Sequence, residues 1–210
     1  MSLPAARGSR RVVLPLAAVA AVALQIPLPA ARAVSPNVVI SQVYGGGGNS
    51  GATYRNDFIE LFNRGGSPAS LAGWSVQYAS ATGTGSFGSN TGQITELPAV
   101  TLAPGQYLLV QEAQGTGGTT GLPAPDVVDT TPINMSGTGG KVALVSTASP
   151  LGCNGGSTPC PPAALALIVD LVGWDGANFY EGSPAPATTN TTAALRAGGG
   201  CVDTDSNASD

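Results

Sequence analysis

Short apolar runs, each broken off by glycine, proline or asparagine, constrain what this chain can fold into more than any other feature. The first run, Val38-Val39-Ile40-Ser41-Gln42-Val43-Tyr44, is rich in β-branched residues and is cut off by Gly45 to Gly48 and Asn49-Ser50-Gly51. Branched side chains crowd a helix and pack well on a pleated surface, so the pattern predicts a strand followed by a flexible loop. In Asp57 to Asn63, Ile59 and Leu61 face one way and Phe58, Glu60 and Phe62 the other, until Arg64-Gly65-Gly66-Ser67-Pro68 forces a turn. Trp74, Val76 and Tyr78 then alternate with Ser75 and Gln77, a period of two. Gln93 to Leu97 reads as a short strand, and the turn Ala103-Pro104-Gly105 stands directly before a strand over Gln106 to Glu112. Lys141 to Ser146 and Ala166 to Trp174 supply the last runs. Seven or eight such strands predict an all-β fold, an immunoglobulin-like β-sandwich, with a barrel as the other architecture of the same spacing.

Composition narrows the chemistry. With 42% hydrophobic and only 10% charged residues, the chain is neither a disordered polyelectrolyte nor a Lys/Glu-rich helical bundle. It contains no histidine. Ser-His-Asp and Cys-His relays, His-ligated zinc and imidazole acid/base catalysis are therefore excluded.

Residues 1–33 read as a secretory signal peptide. Arg7, Arg10 and Arg11 precede an apolar run from Val12 to Leu24, and Ala31-Arg32-Ala33 offers small residues for cleavage. The run is short of the about 20 residues that a membrane span needs, so no transmembrane segment is expected in the mature chain. Ser9-Arg10-Arg11-Val12-Val13-Leu14 also resembles the twin-arginine export pattern, which leaves two export routes open. Removing the signal leaves four basic residues (Arg55, Arg64, Lys141 and Arg196) against all 12 acidic ones. Nucleic-acid affinity is dominated by phosphate neutralisation, so direct DNA binding by so acidic a chain is not expected. The mature length suits one domain burying about 70% of its unfolded surface. That domain is expected over residues 34–182, and residues 183–210, rich in Pro, Thr and Gly and then acidic, as a weakly structured tail or linker.

Few residues carry a chemical signal. Cys153 and Cys160 flank a six-residue turn-rich stretch, and in an exported chain this predicts a local disulfide that contributes about 2.5 kcal/mol; thiolate metal binding is the rival. Cys201 is the odd cysteine, free, paired with another chain or exchanging with the first two. Asp203-x-Asp205-x-Asn207 has the alternating oxygens of a calcium loop, but Ala208 replaces the turn glycine and no Glu stands at position twelve. A calcium site and a solvated acidic linker are both readings of it; no other cofactor is expected. Asp57 and Glu60 point to opposite faces of a strand and do not form a catalytic carboxylate pair. Gly45 to Gly48 lacks the Lys-Ser/Thr of a phosphate cradle and precedes a strand. Trp74 and Trp174 read as core residues, since a carbohydrate platform needs exposed rings.

Five blocks together resemble the lamin-tail domain: Val39 to Gly51, Asn56 to Asn63, Leu71 to Val76, Leu102 to Val110 and Gly139 to Val145. The resemblance implies an immunoglobulin-like sandwich without catalytic duty. Asp170-Leu171-Val172-Gly173-Trp174, Glu181-Gly182, Asn190-Thr191-Thr192 and Cys201 to Asn207 further resemble lamin-tail domains that precede extracellular endonuclease/exonuclease/phosphatase-type nucleases. It implies a catalytic domain beyond the Asp-Thr-Asp stretch, whose metal-binding Glu, Asp and His have no counterpart in these 210 residues. It also implies a partner for Cys201 near Phe179, where this chain has no cysteine. The expectation is a secreted, non-catalytic accessory or binding module, with a downstream nuclease domain as its neighbour. A freestanding surface protein that binds another protein or an envelope ligand through its Gly45 to Gly51 or Gly83 to Gly92 loops is the alternative.

Overall fold

The computed structural model describes Met1 and residues 37–210, so the signal-peptide expectation lies almost wholly outside the described residues. In chain order the strands are β1 (Val38–Tyr44), β2 (Asn56–Asn63), β3 (Ala69–Ser70), β4 (Ser75–Ser80), β5 (Ile94–Glu96) and β6 (Thr101–Leu102). They continue as β7 (Tyr107–Gln114), β8 (Val127–Val128) and β9 (Gly140–Val145), the one-turn helix α1 (Pro162–Leu165), β10 (Ile168–Trp174), β11 (Ala194–Leu195) and the short helix α2 (Ala197–Gly200). One sheet runs β11-β1-β2-β7-β8 and the other β10-β9-β4-β5, with β3 and β6 as a separate pair. Every pairing is antiparallel except β7 with β8. This is an immunoglobulin-like β-sandwich. All the long strands fall on the apolar runs; the additional ones are two-residue pairings too short to leave a periodic signal.

The inner faces meet in one core, in which Ile40, Ile59, Leu61, Val76, Val110, Val142, Leu144 and Trp174 are buried. Each such aliphatic side chain contributes roughly 1.5–3 kcal/mol when fully buried. A second apolar layer, with Ala79, Phe87, Ala143, Val145, Ile168 and Leu171 packed against Leu151, Leu165 and Phe179, covers the outer face of the β10-β9-β4-β5 sheet. This layer changes the meaning of the alternation in β4. Ser75 and Gln77, on the face opposite Val76, are completely buried. Ser75 Oγ donates to the Thr147 carbonyl, and Gln77 donates to the Ser149 carbonyl and accepts from Leu151 N–H. The covering segment supplies the partners that buried polar groups require.

Three irregularities in register decide where polar side chains point. In β1, Ile40 pairs with Leu61 and Gln42 with Glu60, which leaves Ser41 as a bulge. In β10, Val169 is the extra residue before Asp170. Between β2 and β7, Glu112 and Ala113 together oppose Asp57. A bulge re-aims the side chains beside it and frees backbone groups from the ladder, and each of the three lies beside a buried carboxylate or beside the backbone that such a carboxylate holds.

Two expectations are corrected. The Gly45 to Gly48 stretch is not a loose loop: Gly45, Gly46 and Gly48 are buried. A Cβ on Gly47 would stand 1.9 Å from the Asn56 carbonyl carbon, and Gly48, at φ +67°, crosses Gly115 so closely that a Cβ would meet its nitrogen at 2.1 Å. Glycine is required there by close backbone approach and a left-handed conformation. Residues 183–210 are not a loose tail either. Within them β11 pairs with β1, Ala185 bridges to Trp174, and Arg196 and Asn207 are buried. That segment has few apolar residues and is held by polar contacts instead.

Candidate functional site

The bulge at Ser41 opens the backbone of β1 toward the C-terminal segment, and Arg196 enters there. Its Nε donates to the Ile40 carbonyl at 3.0 Å, while Ile40 N–H donates to Asp170 Oδ2. The guanidinium then gathers four carboxylates. Nη2 lies 2.9 Å from Asp170 and 3.4 Å from Glu181; Nη1 lies 3.2 Å from Asp203 and 2.7 Å from Asp210. Arg64, on the rim, adds a 3.0 Å pair to Asp203. The planar fork of Arg suits such multiple carboxylate recognition.

Burial works against the charge on Arg196, but Asp170, Asp203, Glu181 and Asp210 outweigh it and hold its proton more tightly than usual. Burial raises the pKa of Asp170, with Arg196 opposing. Burial and then the charge of Asp170 push Glu181 up to about 9. Asn207 orients the group: its Oδ1 accepts from Gly173 and Glu181 N–H, and its Nδ2 donates to the Leu171 carbonyl and to Glu181 Oε2. Glu181 Oε1 is buried and has no hydrogen-bond partner. Beside the cluster lies a cavity of about 380 Å³, lined by Ile40, Val43, Val172 and the small residues of 185–188 and 192–194, with Arg196, Asn207 and Asp210 as its charged and polar lining.

The structure distributes the calcium-loop residues among different tasks. Asp203 faces Arg196 and Arg64, whereas Asp205 donates its own N–H to Asp203 Oδ1. Both acceptor directions of the Asn207 amide oxygen are taken by backbone N–H groups. Asp203 is brought together with Asp170 and Glu181 instead, one carboxylate oxygen of each lying within 4.8 Å of the others.

A second group of buried carboxylates stands at the β2/β7 bulge. Asp57 accepts from Gly47 N–H at 2.8 Å and Met135 N–H at 2.9 Å; Glu112 accepts from Ile133 N–H at 2.7 Å and Thr95 Oγ1 at 2.9 Å. Tyr78 Oη accepts from Ser136 N–H. Desolvation raises Asp57 to about 7 and Glu112 to about 8, with the backbone donors pulling the other way. Glu60 accepts from Ser41 Oγ outside this group, so Asp57 and Glu60 do not form a pair. Asp57 and Glu112 fasten the 133–136 segment over the sandwich.

Cys153 and Cys160 are disulfide-bonded. Their loop covers Lys141, completely buried, whose Nζ donates to the Asn154 carbonyl at 2.9 Å and Asn178 Oδ1 at 2.7 Å and lies 5.8 Å from the Phe87 ring centre. Burial lowers its pKa to about 8. Cys201 is free, its Sγ donating to the Gly198 carbonyl. Phe179 packs on Phe87. Trp174 is fully in the core, and Trp74 is half-buried against it. Sequence reasoning missed Arg196, Glu112 and Lys141; an isolated charge inside or next to an apolar run was the only signal they left.

Two packed sheets, antiparallel but for the β7–β8 pair, whose buried carboxylates are engaged by backbone amides or a guanidinium, form an immunoglobulin-like domain of the binding or accessory kind. A family model described as Lamin Tail Domain matches residues 31–155, more than half of the chain. The chain belongs to the lamin tail domain family. No curated protein matches it. Seven chains of solved structures do. Among these is a DUF4876 family protein from Bacteroides thetaiotaomicron, 13% identical, with a TM-score of 0.42 over 67% of this chain and 54% of that one. The chain therefore matches about half the length of that relative.

Proposed function

We propose that this chain is an exported, non-catalytic binding module that serves an extracellular nuclease. The observation that carries the reading is the meeting of distant stretches on Arg196. Asp170, Glu181, Asp203 and Asn207 come from the segments that resemble nuclease-linked lamin-tail domains, and they converge in one hydrogen-bonded group. Export is supported by the disulfide, since such bonds persist in oxidising compartments. The absence of histidine from the sequence supports a non-catalytic role. No helix among the described residues is long and apolar enough to cross a membrane.

Determining the reading frame on the 3′ side of the Asp210 codon tests the nuclease partnership. An in-frame domain with metal-binding Glu, Asp and His is expected; a stop codon there overturns it in favour of a freestanding binding protein. Purified residues 34–210 incubated with plasmid DNA and magnesium are expected to leave the DNA intact.

A further inference from the structure

We infer that Asp170, Glu181 and Asp203 form a binding site for a calcium-like divalent cation beside Arg196. Three observations lead there. One carboxylate oxygen from each residue falls within 4.8 Å of the others, although the residues come from three separate segments. Glu181 turns only Oε2 to Arg196 and Asn207; Oε1 is buried, with no donor to meet it. An orphaned buried carboxylate oxygen forfeits several kcal/mol of hydration unless a cation or donor replaces the water.

The third observation is a charge count. Asp170, Glu181, Asp203 and Asp210 face two guanidiniums, Arg196 and Arg64. With a divalent cation bound and all four carboxylates ionised, the group is neutral, the two guanidiniums supplying the other two positive charges. Hard oxygen donors of this kind select calcium over softer metals, whereas magnesium demands a stricter octahedron and gives up its water reluctantly. The inference departs from the residue spacing, since Asp205 and Asn207 are not ligands. Asn207 acts as a positioning residue that holds Glu181 through its amide nitrogen.

The test uses chelator-stripped mature chain, titrated with calcium chloride by calorimetry and by thermal unfolding, with magnesium chloride in parallel. The expected result is a single site with Kd of about 10⁻⁴–10⁻³ M, the range of extracellular calcium modules, and a melting temperature that rises with calcium more than with magnesium. Glu181→Gln and Asp203→Asn are each expected to weaken binding by about tenfold or more. Wild-type protein that shows neither heat nor a melting shift at about 10 mM calcium, ten times the upper end of that range, overturns the site. So does unchanged affinity in a folded Glu181→Gln or Asp203→Asn variant. The wild-type titration decides the matter even where a variant fails to fold, and no outcome bears on whether a nuclease domain follows.

Discussion

The protein buries carboxylates in two regions, and the two are stabilised differently. Around Asp57 and Glu112 the partners are neutral: backbone N–H groups of Gly47, Ile133 and Met135 and the Thr95 hydroxyl. Around Arg196 the partners carry charge, and four carboxylates share one guanidinium, aided by Arg64. A carboxyl among neutral donors can take up a proton and keep its hydrogen bonds, so its charge is optional. Arg cannot lose its proton at any ordinary pH, so the second region depends on its cation in every condition. The first region is therefore tuned by pH alone, whereas the second, where Glu181 is also pushed up, depends in addition on a single side chain.

The sharpest way to break this comparison is Arg196→Met. It leaves the carboxylates uncompensated, and urea unfolding is expected to show a loss of about 3–5 kcal/mol; a loss under about 1 kcal/mol removes the distinction. Next comes Asn207→Ala, which strips partners from Gly173 N–H, Glu181 N–H and the Leu171 carbonyl. Its expected cost is about 2–3 kcal/mol by the same measurement.

The neutral region should announce itself in the pH dependence. Asp57 and Glu112 rise from 3.8 and 4.5 to about 7 and about 8 on folding. Between those limits the folded protein holds protons that the unfolded chain has released, so the contribution of these two groups falls as pH rises through the window and levels off above about pH 8, while that of Glu181 continues to fall to about pH 9. The slope is up to about 1.4 kcal/mol per pH unit for each group. Asp129 and Asp57 act electrostatically on Glu112, and Asp57 acts on Tyr78. Glu112→Gln, the smallest effect, should cost under about 1 kcal/mol at pH 7, because an amide mimics the protonated acid, and should remove the Glu112 share of the slope. A urea midpoint independent of pH from 5 to 8 contradicts the neutral-partner account.

The long strands were legible because each is an apolar run closed by turn residues, as Val38 to Tyr44 before Gly45 shows. The disulfide was legible from the Cys153–Cys160 spacing together with the expectation of export. The C-terminal segment was not, because its docking rests on Arg196 and Asn207, polar residues that leave no periodic trace. Nor were the roles of Asp57 and Glu112. The alternation rule assigns each strand residue a face, and the bulge that re-aims these two arises from pairing between β2 and β7, which neither strand encodes alone. A clean period of two places Ser75 and Gln77 opposite the core, but nothing in β4 reveals that residues 147–160 cover that face.

The Asn207 amide also bears on how the protein behaves in company. β10 is the last strand of its sheet, and the Leu171 carbonyl and Gly173 N–H point outward from it. An open row of such groups is a template for another chain. Here one side-chain amide occupies the donor and acceptor positions that the next strand's peptide group would take, while Ala185 meets the Gly173 carbonyl. A single asparagine thus ends the sheet, and its removal would leave an edge on which a second molecule could continue it.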